Sequence, residues 1–196
     1  MRLILVRHAA TAWNDMGRIQ GSSDIPLSAS GRNEARRWRL PAAIEPATWV
    51  SSPLLRARET ADCMGLAVAV DERLREMDWG DWEGRTLGEL RSEFGSEMAE
   101  NEARGLDFRP PNGESPRMVQ QRLIPWLHAV TAARQDIGAV THKGVIRALI
   151  GLATGWDFLG RPPARLHQGE AQSIVIDDAG ELHLEDSRIA LTGQPS

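Results

Sequence analysis

The chain has 196 residues, 41% of them hydrophobic and 26% charged, a composition typical of one globular domain in water. A net charge of −4 offers no basic surface for a phosphate backbone, which argues against nucleic acid as the main partner. No apolar run approaches the roughly 18 residues that span a bilayer, and the apolar segment before Arg7 is too short for a signal peptide. The single cysteine, Cys63, excludes an internal disulfide and suits a reducing cytoplasm, where we expect the protein.

Six short apolar runs predict six strands, of which the last is the weakest. They are Leu3–Val6, Thr48–Ser51, Ala67–Val70, Ile137–Val140, Ser173–Ile176 and Leu182–Leu184. Helical patterns alternate with them, which predicts an α/β fold with a mainly parallel sheet covered on both faces, a three-layer α/β/α sandwich. The turn residues Asp177–Gly180 predict a hairpin and an antiparallel edge. We expect residues 1–196 to form a single domain.

Five helices are predicted between the strands. Ser28 is expected to cap the first and Gly65 to end the second, which has Pro53 in its first turn. Pro125 is expected to kink the fourth. The predicted helices are Ser28–Leu40, Pro53–Met64, Thr86–Phe94 (ended by Gly95), Glu114–Ala133 and Val145–Ala153. The polar segment Glu97–Gly113 is expected to be an exposed, lid-like excursion near 97–113.

The first strand ends in Arg7 and His8, at the sheet edge where open α/β proteins bind ligands. A guanidinium can grip phosphate or carboxylate oxygens, and an imidazole can act as a nucleophile near neutral pH. In the alternative interpretation, Arg7 pairs with a surface acid and His8 only ends the strand. The pair by itself does not decide between them.

Two more strands are followed by cationic residues at the start of a helix. Arg56 lies in the first turn after one strand, and His142 and Lys143 begin the helix after another. A cation at a helix N-terminus is unfavourable by roughly 0.3–1 kcal/mol unless an anion is present, and the free N–H groups there bind anions. One shared anion explains these placements better than two coincidences.

A loop after the third strand combines acids with tryptophans. It is either a solvated loop whose tryptophans pack on the core, or a site in which an indole wall desolvates one acid until it can donate a proton. Spacing does not identify that acid among Glu76, Asp78, Asp81 and Glu83, which alternate with Trp79 and Trp82. There is no HExxH, paired CxxC or Walker motif, and His128, His167 and His183 show no metal-ligand spacing, so no metal or cofactor is predicted.

Together these segments resemble the histidine phosphatase superfamily, in its phosphoglycerate mutase-like branch. Six motifs occur in family order between residue 3 and about residue 150, which is not expected by chance. They are Leu5–Asn14, Gly17–Gly31, Ser51–Ala61, Arg73–Glu76 with Gly80–Gly84, Asn112–Ser115 and Val140–Arg147.

The resemblance implies a role for each matching residue. His8 would attack phosphorus and carry a phosphohistidine. Arg7, Arg56 and His142, the phosphate clamp, would hold the phosphoryl oxygens where charge develops. Glu76 would give a proton to the leaving alkoxide and then activate water. These charged groups would take the place of a metal ion.

Other positions shape the pocket or depart from the family pattern. Asn14, Gln20 and Gly21 resemble groups that bind the substrate. Lys143, the only lysine, stands where glycine is common, and it either binds a second negative group of the substrate or points to solvent. Ala9 also replaces a glycine, and its methyl would be awkward at a positive φ, so we expect a slightly shifted loop.

The resemblance therefore implies a metal-independent phosphomonoester hydrolase that acts on a small phosphorylated metabolite. Family mutases tend to carry a longer insert after Glu76, so the short segment Gly84–Gly113 favours hydrolysis. A cofactor-dependent phosphoglycerate mutase and a non-catalytic phospho-ligand binding protein are the alternatives. Ser22, Ser23, the Trp79–Trp82 loop and the excursion are expected to form the variable part of the pocket. The sequence is compatible with a homodimer and does not determine the oligomeric state.

Overall fold

The protein is built on one six-stranded sheet. The computed structural model describes residues 1–191, with the side chains of 1–185 and 188–191. Within this range the strands are β1 (Arg2–Arg7), β2 (Thr48–Ser51), β3 (Val68–Val70), β4 (Ile137–Thr141), β5 (Glu170–Ile176) and β6 (Leu182–Ala190). Their order is β3-β2-β4-β1-β5-β6, with the first four parallel and β5 and β6 antiparallel. All six predicted strands and the antiparallel edge are confirmed.

Six α-helices connect and cover these strands in the described part of the chain. They are α1 (Ala12–Asp15), α2 (Ala29–Ala35), α3 (Leu55–Met64), α4 (Leu87–Glu102), α5 (Pro116–Ala133) and α6 (Lys143–Thr154). The caps predicted at Ser28 and Gly65 are confirmed. None of these helices is long and apolar enough to cross a membrane.

The helix boundaries differ from the predictions where tertiary packing decides them. The first predicted helix stops at Ala35, and Pro53 precedes α3 because Leu54 is its N-cap. Gly95 adopts φ 50° and breaks the helical geometry, yet the helix resumes and runs to Glu102. It resumes because Met98 on that extension is buried in a small cluster with Trp82 and Leu90. The excursion near 97–113 is thus partly helical. Helix α5 continues through Pro125 as one helix. The short helix α1 was not predicted.

Strand β1 shows why the sheet is covered on both faces. Its side chains alternate, and Leu3, Ile4, Leu5 and Val6 are all completely buried. Leu3 and Leu5 pack in a core with α5 and α6, whereas Ile4 and Val6 pack in a second core with α2 and α3. Both faces of the sheet are therefore apolar, and the three-layer sandwich is confirmed.

The register of the central strands determines where the functional residues meet. Arg7 at the end of β1 pairs with Thr141 at the end of β4, and Ser51 at the end of β2 pairs with Val140. Because these parallel strands end level, the segments that follow them leave the sheet at one edge.

Candidate active site

A cavity of about 640 Å³ opens at this edge of the sheet. Its volume is in the range of small-molecule sites. Eight of the nine predicted site residues line it: Arg7, His8, Asn14, Gln20, Gly21, Arg56, Glu76 and Lys143. The ninth, His142, is fully buried and does not line the cavity, but its ring centroid lies 5.2 Å from that of His8. Segments that are distant in sequence therefore converge as predicted.

His8 is held in one tautomer. Its Nδ1 lies 2.8 Å from the carbonyl oxygen of Ala9, and because a carbonyl only accepts hydrogen bonds, Nδ1 carries the proton. Burial lowers the pKa of His8 well below its usual value, and Arg7 and Arg56 lower it further. The ring is therefore neutral and the lone pair is on Nε2, the state required of a nucleophile.

The loop around His8 is fixed by hydrogen bonds to its backbone. Gln168 Nε2 donates to the carbonyl oxygen of His8 at 3.0 Å, and the N–H of Ala9 donates to Thr60 Oγ1 at 2.9 Å. Ala9 has an ordinary negative φ, and its methyl is completely buried in the core under α2 and α3. The expected strain from this methyl is thus not found, because the position does not need a left-handed backbone.

Arg56, in the first turn of α3, is completely buried. Its terminal nitrogens donate to the carbonyl oxygens of Ser23 at 2.8 Å and Gly21 at 2.7 Å, which fixes the plane of the guanidinium. Burial lowers the pKa of Arg56, and the nearby Glu76 raises it in part. Because an arginine remains protonated in proteins, this buried charge requires a negative partner.

Glu83 fixes the loop to which Arg56 donates. Its carboxylate accepts hydrogen bonds from the N–H and the hydroxyl of both Ser22 and Ser23, at 2.5 to 2.9 Å. Burial raises the pKa of Glu83, but these hydrogen bonds together lower it below its usual value. A Cβ at Gly21, where φ is 52°, would lie 1.9 Å from Glu83 Oε1. The expectation that Ser22 and Ser23 form the pocket is wrong, because both are bound to Glu83 and neither lines the cavity.

Glu76 is the one acid of its loop that lines the cavity. Its carboxylate accepts hydrogen bonds from the N–H of Met77 at 2.9 Å and from that of Gly144 at 3.0 and 3.2 Å. The other acids of the loop have partners elsewhere: Asp78 accepts from Gly80, Asp81 from Asn112 and Glu83 from the serines. Trp79 lines the same cavity, while Trp82 is buried in the small cluster under α4.

His142 occupies the N-cap position of α6 and contacts Ser52, the residue after β2, which sequence reasoning missed. Its Nε2 lies 2.6 Å from the hydroxyl of Ser52, and both residues are completely buried. Burial lowers the pKa of His142 well below its usual value, and Arg56 and His8 lower it further. This direction favours the neutral form of His142 beside His8.

Several buried polar atoms at the site have no hydrogen-bond partner among the described residues. They are Arg7 Nε, Arg56 Nε, His142 Nδ1 and Arg147 Nε. A buried polar atom without a partner costs roughly 1–3 kcal/mol, so such atoms are rare and seldom clustered. Three of these four atoms are guanidinium donors, and this pattern fits a site that is completed by an anionic ligand.

Lys143 lies in the cavity together with Arg147, one helical turn further along α6. Burial lowers the pKa of Lys143 to about 8, and the neighbouring Arg147 and Arg7 contribute. Like charges at positions i and i+4 of a helix destabilise it by about 0.2–0.5 kcal/mol. Arg147 is the last residue of the Val140–Arg147 motif but was not predicted as a site residue. Its spacing of four residues from Lys143 places both on one face of α6.

The amides of Asn14 and Gln20 are oriented by Thr11. The N–H of Thr11 donates to Asn14 Oδ1 at 3.0 Å, and the Thr11 hydroxyl lies 3.0 Å from Gln20 Oε1. The oxygen of Asn14 is therefore occupied, which leaves its NH₂ group as a donor toward the cavity.

An apolar wall faces these polar groups. Trp79 and Phe108 meet edge to face with ring centroids 5.5 Å apart, and both line the cavity. Phe158 completes the wall in a left-handed conformation, with φ 70°. Phe108 belongs to the predicted excursion near 97–113, as do Glu102 and Gly105, which also line the cavity.

One group of potential metal ligands lies away from this cavity. Ligand atoms of Asp177, Glu181 and His183, on the β5–β6 hairpin, are within 4.8 Å of one another. Sequence spacing did not predict this group. His183 Nε2 lies 2.9 Å from Asp177 Oδ2, so the two side chains already satisfy each other.

The fold and this site define a class of protein: an α/β sandwich with a neutral histidine, a partly buried arginine and a fully buried arginine close to the ends of its parallel strands. The sequence model of the histidine phosphatase superfamily (branch 1) matches residues 3–185. The chain belongs to this superfamily, which confirms the family and the type of enzyme predicted from the motifs.

Individual relatives include phosphatases and a mutase. A glucosyl-3-phosphoglycerate phosphatase of Mycolicibacterium vanbaalenii is 36% identical over 180 residues, which cover 81% of this chain and 79% of that protein. A 2,3-bisphosphoglycerate-dependent phosphoglycerate mutase of Azorhizobium caulinodans is 32% identical over 203 residues, which cover 89% of this chain and 98% of that protein. The structure of a mycobacterial glucosyl-3-phosphoglycerate phosphatase complexed with VO3 has a TM-score of 0.81 at 27% identity, covering 96% of this chain and 99% of that one.

Proposed function

We propose that this protein hydrolyses phosphomonoesters through a phosphohistidine formed on His8. The observation that carries the proposal is the state of His8, a neutral ring with its lone pair on Nε2, beside the guanidinium groups of Arg7 and Arg56, which have no acidic partner within hydrogen-bond distance among the described residues. Arg7 and Arg56 supply the positive charge around the phosphoryl group, with His142 as a neutral donor, so the reaction does not depend on a metal ion.

The reaction has two steps. In the first, His8 Nε2 forms a bond to phosphorus, the bond from phosphorus to the ester oxygen breaks, and Glu76 gives its proton to the leaving oxygen. In the second, Glu76 takes a proton from water, the water oxygen bonds to phosphorus, and the bond to Nε2 breaks. Inorganic phosphate leaves, and His8 and Glu76 return to their initial protonation states.

A replacement of the nucleophile tests this proposal. We expect His8→Ala to lose turnover of p-nitrophenyl phosphate, and rapid quenching of the wild type to trap a base-stable, acid-labile phosphate on residue 8. His128→Ala, which removes an exposed histidine of α5, is the matched control and should keep full activity. Unchanged turnover in His8→Ala would show that the assignment of the nucleophile is wrong.

The substrate is proposed to be a small phosphorylated metabolite with a second anionic group. Lys143 and Arg147 are the candidates to bind that group, while Asn14, Gln20 and Gly21 surround the phosphate and Trp79 and Phe108 contact the apolar face of the molecule. The compound in the name of one relative, glucosyl-3-phosphoglycerate, carries a phosphate, a carboxylate and a sugar ring, and it fits this description.

The role of Lys143 can be tested with two substrates. We expect Lys143→Gly to weaken a phosphate ester that also carries a carboxylate more than it weakens a neutral aryl phosphate. Equal losses on both would rule out contact with a second anion.

A phosphoglycerate mutase is the second candidate, because one relative with that name is aligned over 98% of its length. In that case a bisphosphorylated cofactor would phosphorylate His8 and the phosphate would return to the substrate. Incubation with 3-phosphoglycerate and 2,3-bisphosphoglycerate decides between the two. Rapid isomerisation without release of phosphate means mutase.

The remaining parts of the proposal concern the setting of the enzyme. We place it in the cytoplasm, on the argument from the single cysteine, with metabolites as its ligands in preference to nucleic acid or a membrane. Residues near 97–113 are proposed to act as a lid, since three of them line the cavity, within a single domain.

A further inference from the structure

Glu114 and Arg122 form an ion pair behind the segment that carries Glu76. Arg122 Nε lies 3.1 Å from Glu114 Oε1 and its Nη2 lies 3.2 Å from Oε2, so the contact is bidentate. The side chains are only 12% and 11% exposed, and neither residue lines the cavity. The motif match included Glu114 without giving it a role, and Arg122 belongs to no motif.

Within the described part of the chain, the other hydrogen bonds of the Arg122 side chain all end on one stretch of backbone. Its guanidinium donates to the carbonyl oxygens of Arg73, Arg75 at 2.7 Å and Glu76 itself at 3.1 Å. A planar guanidinium with three such acceptors fixes their relative positions, because its donors form a rigid fork.

Glu114 holds the far end of the same stretch. Its Oε2 accepts from the N–H of Asp78 at 3.1 Å, and its own N–H donates to the carbonyl oxygen of Asp78 at 2.8 Å. The side chain of Arg75 adds a further contact to Glu114 Oε1 at 2.9 Å. Residues 73–78 are therefore held by hydrogen bonds on both sides of Glu76. Glu114, just before α5, binds the residue at 78, and Arg122, in the second turn of α5, binds the carbonyl groups at 73, 75 and 76.

We infer that Arg122 and Glu114 are positioning residues for Glu76, which keep its carboxylate at the point where a leaving group departs. The inference rests on the proposed function, in which Glu76 is the proton donor. It explains why a buried ion pair, which seldom adds net stability over apolar packing, is built behind this one loop. A displacement of the backbone at residue 76 changes the distance over which the proton moves, and proton transfer depends steeply on that distance.

Leaving groups of different acidity separate this role from a purely structural one. An alkoxide must receive a proton as it departs, whereas p-nitrophenolate departs without one. Misplacement of Glu76 therefore lowers kcat/KM, which reports the first step alone, selectively for alkyl phosphates, while general damage to the fold lowers it for both classes alike.

The test uses Arg122→Lys, which keeps the charge without the fork, and Glu114→Gln, which keeps the size without the charge. We expect each to lower kcat/KM for glycerol 3-phosphate by about 10- to 100-fold and kcat/KM for p-nitrophenyl phosphate by less than about 3-fold. Arg117→Lys is the control, because Arg117 also lies on α5, but its ion pair with Asp107 is exposed and does not contact residues 73–78. It should leave both rates within about 2-fold of the wild type.

Equal losses on the two substrates, or no loss on either, overturn the positioning role. If Arg122→Lys fails to fold, Glu114→Gln decides the question, and a crystal structure of Glu114→Gln with an unmoved Glu76 carboxylate also overturns it. A failure of the proposed function is seen separately, as activity that persists in His8→Ala.

Discussion

Replacement of Gly144 by alanine tests how closely Glu76, the proposed proton donor, is packed. Gly144 is the second residue of α6, and its N–H contacts both carboxylate oxygens of Glu76. A Cβ at this position would lie 2.4 Å from Glu76 Oε1 and 3.3 Å from the Cβ of Met77. The first distance is shorter than any van der Waals contact, so the carboxylate has to move away.

The expected magnitudes differ for stability and for catalysis. Alanine is a better helix former than glycine by about 0.8–1 kcal/mol, and the clashing atom is the end of a flexible side chain. We therefore expect the free energy of unfolding of Gly144→Ala to fall by at most about 2 kcal/mol, because the gain in helix propensity offsets part of the hydrogen bond that Glu76 loses. The displaced carboxylate loses a hydrogen bond of about 1.5–3 kcal/mol and its place beside the leaving group, so kcat for an alkyl phosphate should fall about 100-fold.

The assay combines phosphate release with urea denaturation. Gly88→Ala is the control, because it makes the same change in the first turn of α4, where the nearest atom to the new Cβ is Thr86 Oγ1 at 3.9 Å. The control should be fully active and slightly more stable. A Gly144→Ala enzyme with wild-type kcat would refute the reasoning, and so would a loss of stability above about 2 kcal/mol.

Three further predictions concern charge and packing at the site. Because folding lowers the pKa of His8 and that of His142, only the unfolded chain takes up these protons below about pH 6.5. The free energy of unfolding should therefore fall as the pH decreases below about 6.5, by up to about 1.4 kcal/mol per pH unit for each histidine. The slope should be shallower in His142→Gln. Since the pKa of Lys143 is about 8, the preference for substrates with a second anionic group should decline as the pH rises through 8 in steady-state kinetics, and should be independent of pH in Lys143→Gly. Ala9→Gly should lower the free energy of unfolding by about 1 kcal/mol without raising kcat, because it removes a buried methyl and adds flexibility to the unfolded chain. A more active Ala9→Gly enzyme would mean that the methyl does strain the loop.

The strands and the principal site residues were predictable because their signals are local. An apolar run that ends in polar residues marks a buried strand, and Arg7 and His8 stand at such an end. Helix ends were less predictable, since the extension of α4 beyond Gly95 depends on the burial of Met98 against residues of other segments. No local pattern encodes such a contact.

The supporting residues of the site were not predictable for the same reason. Glu83 acts through hydrogen bonds to residues about 60 positions earlier, and Ser52 meets His142 where the neighbouring strands β2 and β4 end. The sequence showed that Glu83 was one of several candidate acids, but only the fold distinguishes the acid that lines the cavity from the acid that holds a loop. It likewise left the direction of Lys143 open, and the register of β4 with β1 places that residue at the cavity.

Burial explains both halves of the proposed chemistry. It lowers the pKa of His8, as the neighbouring arginines also do, so that an unprotonated, nucleophilic nitrogen is available at neutral pH. It also removes water from the guanidinium groups of Arg7 and Arg56, which strengthens their attraction for a phosphoryl group. A solvated site would lose both effects together, because the histidine would titrate near its usual pKa and water would screen the arginines. The parallel strands that end level at one buried edge therefore provide more than a place for these side chains, since they also set the protonation state on which the attack depends.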